Sequence, residues 1–284
     1  MQDHEHEFSI AAMSRVLRVT RQGYHAWTQR GPSARACAGD ALRVAIRAIH
    51  AASRGSYGCR RVRQALRRQG RRVGKNRVAR LMSEAGLRAK RSRRFRVTTD
   101  SRTTKVVYDN VLARDFAVGT PNRAWAGDIT YLWTREGWLY LAVILDVGTR
   151  RVIGWSFRET LDAELVTGAL DMALGNRSVT PGLICHSDRG SQYGSDDVGA
   201  MIARFHLRGS MSRKGNCWDN AVVESFFASY KTELVAEARW QWRAEAKSAT
   251  VAWIEGWYNR TRMHSTLGYL SPDEFECQLA AETQ

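Results

Sequence analysis

Residues 126–157 read AGDITYLWTREGWLYLAVILDVGTRRVIGWSF, and this stretch decides the fold class. Its apolar runs, rich in β-branched and aromatic residues, predict three consecutive strands at residues 126–134, 138–146 and 151–157. The middle run, WLYLAVILD, is apolar almost throughout, as expected of a strand that is buried on both faces of a sheet. A tight turn, DVGTR at residues 146–150, joins the second strand to the third.

Downstream of this stretch, helices alternate with short strands. Residues 161–174 place apolar side chains at i, i+4 spacing, and Gly175 predicts the end of that helix. Further strands are predicted at 183–186 and 207–211, and further helices at 196–205, capped by Ser195, and at 220–236. The order β-β-β-α-β-α-β-α predicts an α/β fold with a ribonuclease-H-like core, in which helices pack on a mixed five-stranded sheet.

The net charge of +16 is concentrated before this core. Residues 1–110 carry 26 Lys and Arg against 7 Asp and Glu, whereas residues 111–284 carry 18 against 21, so the excess is +19 and −3 respectively. Clustered cations gain affinity for polyanions by displacing phosphate counterions. The distribution therefore indicates a nucleic-acid-binding region joined to a near-neutral domain, although a solubilising basic surface is an alternative.

The basic region has the pattern of two short helix-turn-helix units. Residues 8–30 form the first, with Ile10, Met13, Leu17 and Val19 as its apolar face. Helices at 40–52, 60–69 and 75–84 form the second, and the last of them combines an apolar stripe with a basic face that suits the DNA major groove. An ordinary helical bundle with a basic surface is the alternative. The candidate DNA contacts here are Arg60, Arg61, Lys75, Arg77 and Arg80.

The predicted organisation has four parts. Residues 1–90 form the helical DNA-binding region, and residues 91–119 form a basic linker in which Arg93 and Arg94 are candidate contacts to nucleic-acid backbone. Residues 120–236 form the ribonuclease-H-like core. Residues 237–284 form a helical extension whose Trp and Tyr side chains pack on that core.

Three acidic residues stand at chemically informative places in the core. Asp128 lies on the first predicted strand, Asp188 follows the fourth, and Glu224 lies near the start of the last helix. In this topology the first and fourth strands are neighbours, so the three carboxylates converge. An all-oxygen site suits Mg²⁺ or Mn²⁺ rather than zinc, and two such ions are suited to phosphodiester cleavage and transfer.

Several other residues have more than one possible role. His186 is either a residue beside the metal ligands that positions substrate, or a structural histidine. Asp146 is predicted to cap the turn after its strand, with a fourth metal ligand as the alternative, and a structural role is favoured for His264. The segment Arg213-Lys214-Gly215-Asn216 is a mobile basic loop that grips DNA, or a solvated loop.

The chain resembles the OrfB transposases of the IS3 insertion-sequence family, within the DDE superfamily of retroviral-integrase-like proteins. The resemblance rests on five segments together with YGCRRVRQAL and GKNRVARLMSEAGL near the N-terminus: GDITYL (127–132), GWLYLAVILD (137–146), HSDRGSQY (186–193), SMSRKGNCWDNAVVESFFASYKTEL (210–234) and YNRTRMHSTLGYLSPDEF (258–275). Thirty-five residues separate Asp188 from Glu224, which matches the spacing of that family.

The resemblance implies a transposase that cuts and rejoins DNA. Asp128, Asp188 and Glu224 would hold two Mg²⁺ or Mn²⁺ ions, and Lys231 would contact the transposon-end DNA. A surface lysine paired with Glu233 or Glu237 is the alternative for that last residue. The implied partners are double-stranded DNA (the terminal inverted repeats and the target) and further copies of the chain. The upstream OrfA product, separate or as an OrfAB fusion, is expected as well, because no heptad run is present.

Composition bears on the remaining function classes. We expect a soluble cytoplasmic protein without membrane association, because there is no apolar run of about 18 residues and no secretory signal pattern. Five widely spaced cysteines without a C-x-x-C pair indicate reduced thiols rather than a disulfide framework. A plain nuclease, and a DNA-binding regulator or inactive transposase remnant, are the alternatives to a transposase.

Overall fold

The computed structural model describes residues 1–31, 33–90, 107–117, 119–214 and 216–282. Its N-terminal part is helical, as predicted. The helices are α1 (Ile10–Val16), α2 (Arg21–Gln29), α3 (Ala34–Ala52), α4 (Cys59–Arg68) and α5 (Lys75–Glu84). Ser9 and Thr20 cap α1 and α2 by accepting hydrogen bonds from backbone N–H groups of the first turn.

A mixed sheet flanked by helices follows. Its strands are β1 (Ala124–Thr134), β2 (Gly137–Asp146), β3 (Val152–Arg158), β4 (Ile184–Ser187) and β5 (Arg208–Met211). The helices that accompany them are α6 (Ala163–Asn176), α7 (Asp196–Arg204) and α8 (Ala221–Glu233). The chain continues through α9 (Arg243–Val251), a π-helical segment (Ala252–Asn259) and α10 (Pro272–Glu282).

The strand order is β3-β2-β1-β4-β5. The three long strands form an antiparallel meander, while β4 and β5 continue the sheet in parallel. The prediction of a mixed five-stranded sheet with the first and fourth strands as neighbours is therefore confirmed. The parallel pairing of β4 is short, since it contacts only residues Ala124–Ala126 of the much longer β1.

Both faces of the sheet are covered over most of its area. Helix α6 packs so closely on β3 that a Cβ added at Gly154 would lie 2.2 Å from the carbonyl oxygen of Ala169. On the opposite face, Leu132, Leu139 and Leu141 join a hydrophobic cluster with Phe226 of α8 and other apolar residues. Burial on both sides explains why β2 is apolar along nearly its whole length.

The hydrophobic cluster that contains Phe226 also includes residues of the N-terminal helices and of the C-terminal segment that follows α8. Leu66 and Val78 lie in the same core as Trp253 of the π-helical segment. Polar contacts join the same surfaces: the hydroxyl of Tyr57 accepts a hydrogen bond from the Met263 N–H at 2.7 Å. Arg68 forms a bidentate pair with Glu274, with both N–O distances 3.0 Å.

Two details of the helix predictions were wrong. Leu17 and Val19 are 58% and 46% exposed rather than part of an apolar face, because α1 ends at Val16 and the chain turns away before α2. Gly175 does not end α6, which continues to Asn176; the Asn176 side chain then donates to the carbonyl oxygen of Ile153 and fixes the end of the helix against β3. No helix within the described ranges is both long and apolar enough to cross a membrane.

Candidate active site

Three elements bring the predicted acidic residues to one end of the sheet. Asp128 lies on β1, Asp188 directly follows β4, and Glu224 lies in the first turn of α8. The parallel register places His186, two residues before Asp188, opposite Ala126, two residues before Asp128. Asp128 on β1 and Asp188 just after β4 therefore lie the same number of residues beyond this pair.

Asn220 joins α8 to β1. Its side-chain amide, immediately before α8, donates a hydrogen bond to the carbonyl oxygen of Gly127 at 3.1 Å. Asn220 is only 4% exposed, so this bond is shielded from water. The bond fixes the first turn of α8, which carries Glu224, beside the residue that precedes Asp128.

The electrostatics of the site show that the acids are close enough to affect one another. All three are partly buried. Burial, together with the negative charges of Asp188 and Glu224, raises the pKa of Asp128 to about 8, against the opposing effects of the Ile129 N–H and the Lys231 ammonium. Burial also raises the pKa values of Asp188 and Glu224. The ionised form of Asp128 is therefore disfavoured, and a cation nearby would favour it.

Backbone hydrogen bonds orient two of the carboxylates. The N–H of Ile129 donates to Oδ1 of Asp128 at 2.7 Å, and the N–H of Gly190 donates to Oδ1 of Asp188 at 2.9 Å. A Cβ added at Gly190 would lie 3.0 Å from that same Asp188 oxygen. The turn after β4 is thus wrapped tightly around the Asp188 carboxylate.

The donor chemistry of these residues fits a hard divalent cation. Carboxylate oxygens are the ligands that Mg²⁺ and Mn²⁺ prefer, and the raised pKa of Asp128 marks a place where a cation would relieve repulsion. Across the described residues, however, no three His, Cys, Asp or Glu side chains come close enough together to form a closed metal-binding group. The three acids interact with one another, but their side chains do not surround a common metal position.

Lys231 lies two turns after Glu224 on α8. Its ammonium nitrogen is 5.5 Å from the centre of the Tyr131 ring, and the negative charge of Asp128 acts on it. The alternative of a pair with Glu233 or Glu237 is wrong, because Glu233 pairs with Arg262 and Glu237 with Lys90. Lys231 is thus a cation that borders the acidic site.

The ring of His186 contacts neighbouring serines and does not make the contacts of a metal ligand. It is fully buried, and its two ring nitrogens lie 2.9 Å and 3.2 Å from the hydroxyl oxygens of Ser210 and Ser212. Burial lowers the pKa of the ring to about 4, so it is neutral at physiological pH. Its contacts are those of a residue that joins β4 to β5, and a role in positioning substrate stays a prediction.

The basic segment before α8 is organised around a buried acid. Asp219 is 0% exposed and accepts three hydrogen bonds from Arg213, through its backbone N–H, Nε and a terminal nitrogen. Arg114 and Asn110 donate to the same carboxylate, and these contacts hold its pKa well below the ordinary range. The guanidinium of Arg213 is therefore engaged by Asp219, whereas Lys214 is exposed.

The candidate DNA contacts of the N-terminal region differ in exposure. Lys75, Arg77 and Arg80 are exposed on α5, opposite the buried Val78, Leu81 and Met82. Arg60 is exposed as well. Arg61 is half-buried, with its guanidinium carbon 5.6 Å from the centre of the Tyr57 ring, so it lies against the C-terminal segment. Arg93 and Arg94 lie outside the described residues.

Sequence reasoning missed three residues of the site. Asn220 and Asp219 stand in the segment WDNA, where an Asn before a helix suggests only a cap. The third is Tyr193, which is 5% exposed and lies beside Asp128 and Asp188, with a buried hydroxyl that has no hydrogen-bond partner among the described atoms. Asp146 is a turn cap as predicted, since it accepts from the N–H groups of Asn122, Gly148 and Thr149. His264 is half-buried, and burial lowers its pKa well below the usual value.

Comparisons with known proteins agree with this architecture. Two models described as integrase core domain match residues 119–217 and 206–272, and a model described as HTH-like domain matches residues 38–95. Transposase InsF for insertion sequence IS3A of Escherichia coli (strain K12) is 44% identical over 278 residues, covering 97% of this chain and 96% of the relative. The insertion element IS600 uncharacterized 31 kDa protein of Shigella sonnei is 44% identical over 263 residues, covering 93% of this chain and 97% of the relative.

Solved structures give a weaker likeness. The catalytic core domain of HTLV-2 integrase in complex with magnesium, in its trimeric form, matches with a TM-score of 0.42 and 14% sequence identity. The match covers 56% of this chain and 98% of that one. No conclusion about this chain rests on a likeness of that size.

Proposed function

This chain belongs to the IS3 family of insertion-sequence transposases, and from that premise we propose that Asp128, Asp188 and Glu224 are its catalytic carboxylates. The alternative of a DNA-binding regulator or inactive remnant is not favoured by the similarity, which extends over 97% of the chain. The observation that carries the proposal is that Asp188 and Glu224, which come from different elements, both act electrostatically on Asp128.

The proposed reaction is DNA cleavage followed by strand transfer. In cleavage, a water oxygen attacks the phosphorus at the transposon end, and the 3′ oxygen leaves and takes up a proton. In transfer, that 3′-hydroxyl attacks a phosphorus of the target, forming one P–O bond as another breaks. No covalent intermediate with the protein is required.

Asp128, Asp188 and Glu224 would hold Mg²⁺ or Mn²⁺, and we expect two ions. Ions bound there would lower the pKa of the attacking hydroxyl and stabilise the charge that develops on the leaving oxygen. The protein's part is to orient its ligands. The Ile129 and Gly190 N–H groups hold the two aspartates, and Asn220 positions the first turn of α8.

The basic residues would position the DNA. Lys231 borders the acids and would contact a phosphate next to the scissile one. The exposed face of α5, with Lys75, Arg77 and Arg80, would bind the duplex of the terminal inverted repeat. Arg60 and Lys214 are further exposed candidates, and Arg213 would contact DNA through the part of its side chain that Asp219 leaves accessible. We expect the active species to be an oligomer on DNA and to work with the OrfA product.

Incubation with DNA that carries the element's own ends tests this proposal. The purified chain, with and without the OrfA product, is incubated with labelled DNA in Mg²⁺, Mn²⁺ or EDTA. We expect nicking at the element boundary in the presence of either metal and none in EDTA. The Asp188→Ala variant should bind the DNA without cutting it.

Two outcomes would contradict the proposal. Binding without cleavage under every condition, including added OrfA product, would indicate a regulator or an inactive remnant. Cleavage at random positions without strand transfer would indicate a plain nuclease.

A further inference from the structure

One end of the sheet carries an exposed group of aromatic side chains. Tyr131 and Trp133 of β1 and Trp138 of β2 are 48%, 60% and 44% exposed. Trp133 and Trp138 are direct partners in the antiparallel register, and Tyr131 is two residues from Trp133 on the same strand. All three side chains therefore point to one side of the sheet. We call these three residues the aromatic face.

The rings of the aromatic face contact one another. The centre of the Trp138 ring is 4.8 Å from that of Trp133 and 5.3 Å from that of Tyr131, both in edge-to-face geometry. Mutual packing of this kind restrains the rings and lowers the entropy lost when a ligand binds to them. Large apolar side chains that are held rigid and left accessible commonly mark a binding surface.

The aromatic face borders the acidic site. Tyr131 lies three residues beyond Asp128 on β1, a distance of about 10 Å at the usual rise of a strand, and its side chain points to the opposite face of the sheet. Lys231 links Tyr131 to Asp128, because its ammonium contacts the Tyr131 ring and interacts electrostatically with the Asp128 carboxylate. In the described sheet, β4 pairs with β1 only as far as Ala126, so the following part of β1 has an open edge. Lys231 contacts Tyr131 across this open edge.

The charges around the aromatic face suit a nucleic acid strand better than a purely apolar partner. Lys231 and the exposed Arg135 stand at its border. Arg243 donates to the carbonyl oxygen of Trp138 and pairs with Glu159 at 2.9 Å. A few cations beside exposed rings match a strand whose phosphates follow the cations while its bases stack on the rings.

We propose that the aromatic face binds unpaired nucleobases of the DNA strand next to the scissile phosphate. This inference rests on the proposed function, because that function places DNA at the neighbouring acids. Intact duplex is a poor occupant, since its bases are stacked on each other and it presents phosphates outward. A strand that is frayed or opened at the transposon end exposes base faces that Tyr131, Trp133 and Trp138 can stack against.

Two oligonucleotides with the same backbone test the proposal. The first is a 15-mer of thymidine and the second is a 15-mer of abasic sites, so their phosphate charges are equal and only the first has bases. Binding to the full chain is measured in EDTA, where no cleavage occurs. We expect the wild-type protein to bind the thymidine strand at least tenfold more tightly than the abasic strand.

Substitution of the aromatic face should remove this preference. Base stacking on one aromatic side chain is worth about 5- to 100-fold in affinity, so Trp133→Ala and Trp138→Ala should each reduce thymidine binding by that factor and leave abasic binding unchanged. Trp133→Phe is the matched control, because it keeps an aromatic ring at the same exposed position of β1. It should keep the preference. Folding of each variant is checked by its unfolding midpoint.

Three results would overturn the proposal. Equal binding of the two strands by wild-type protein would show that bases are not recognised. An equal loss for both strands in Trp133→Ala would indicate a packing role. A change from dimer to monomer in the same variant without DNA would assign the aromatic face to a second copy of the chain. The assay needs neither metal nor cleavage, so Asp188→Ala should keep the preference for the thymidine strand. Failure of the stacking proposal is therefore distinguishable from failure of the transposase proposal.

Discussion

Arg262 donates through Nε to Glu233 over 2.9 Å at a place where the two side chains are only 7% and 4% exposed. Glu233 is the last residue of α8 and also accepts from the Trp257 indole at 2.9 Å, while Arg262 donates to Ser229. The helix that carries Glu224 is thus anchored at its far end to the C-terminal segment.

Arg262→Met should therefore destabilise the protein strongly. Removing one partner leaves a buried, uncompensated charge on Glu233, which costs about 3–5 kcal/mol. The free energy of unfolding from denaturant titration measures this loss. Arg63→Met, at an exposed position of α4, is the control and should change stability by less than about 0.5 kcal/mol. A loss below about 1 kcal/mol in Arg262→Met would mean that the pair is not buried in solution.

Gly154→Ala should disrupt the packing of α6 on the sheet. The new methyl group would lie 2.2 Å from the Ala169 carbonyl oxygen, which is backbone and cannot rotate away. We expect a loss of about 3 kcal/mol or more, visible as a lower thermal midpoint. Gly256→Ala is the matched control, because a Cβ there meets nothing within 4 Å. Equal midpoints for the two variants would show that α6 lies farther from β3.

Asp219→Asn should change the acid sensitivity of the fold. Arg213 and Arg114 hold the pKa of the Asp219 carboxyl far below its ordinary value of 3.8, so the folded state keeps it charged when the unfolded state binds a proton. The resulting stabilisation is complete above about pH 4 and is lost as the pH falls further. We expect the variant to lose about 3 kcal/mol at pH 7 and the difference from wild type to shrink below pH 4.

The control for that prediction is Asp171→Asn, an exposed substitution in the middle of α6. It should show a small difference with the same size at every pH. A difference between wild type and Asp219→Asn that stays constant from pH 7 to pH 3 would contradict the role of the two arginines.

Lys231→Met should weaken binding of transposon-end DNA. Loss of one phosphate contact lowers the affinity about 5- to 10-fold and reduces the slope of log affinity against log salt by about one. Filter binding or anisotropy at several salt concentrations measures both. Lys247→Met on α9 should leave the slope unchanged. An unchanged slope in Lys231→Met would remove the residue from the DNA interface.

Asp188→Asn should abolish metal-dependent cleavage while preserving DNA binding. The substitution keeps the shape of the side chain but removes the charge that a divalent ion requires. Gel assays of cleavage and binding on the same DNA separate the two effects. Asp197→Asn, exposed on α7, should retain both activities. Cleavage by Asp188→Asn near the wild-type rate would exclude this residue as a ligand.

The fold was largely predictable because its signals are local. The apolar run of β2, the turn that follows it and the helix pattern of α6 each stand within a few residues, and their order fixes the place of β4 beside β1. The convergence of Asp128 and Asp188 follows from that order. The exposure of Leu17 and Val19 did not follow from the pattern, since it depends on where α1 ends.

The finer structure of the site depends on contacts between distant residues. Asn220 is bound to Gly127, 93 positions away, and Asp219 to Arg114, 105 positions away. Neither partner can be read from spacing, because each depends on how separately formed elements pack. The same reason explains Arg213, which looks like a free DNA-binding cation in the sequence but is paired with Asp219 in the fold.

The common core of the N-terminal helices and the C-terminal segment limits how this protein can diversify. Leu66 and Val78 lie in one cluster with Trp253, and Tyr57 and Arg68 are bound to Met263 and Glu274. These N-terminal helices therefore cannot be exchanged as an independent unit. A graft of α3 to α5 from a relative would have to carry its matching C-terminal surface. If α5 binds DNA as proposed, new specificity is therefore acquired more easily by changing its exposed residues than by replacing the whole region.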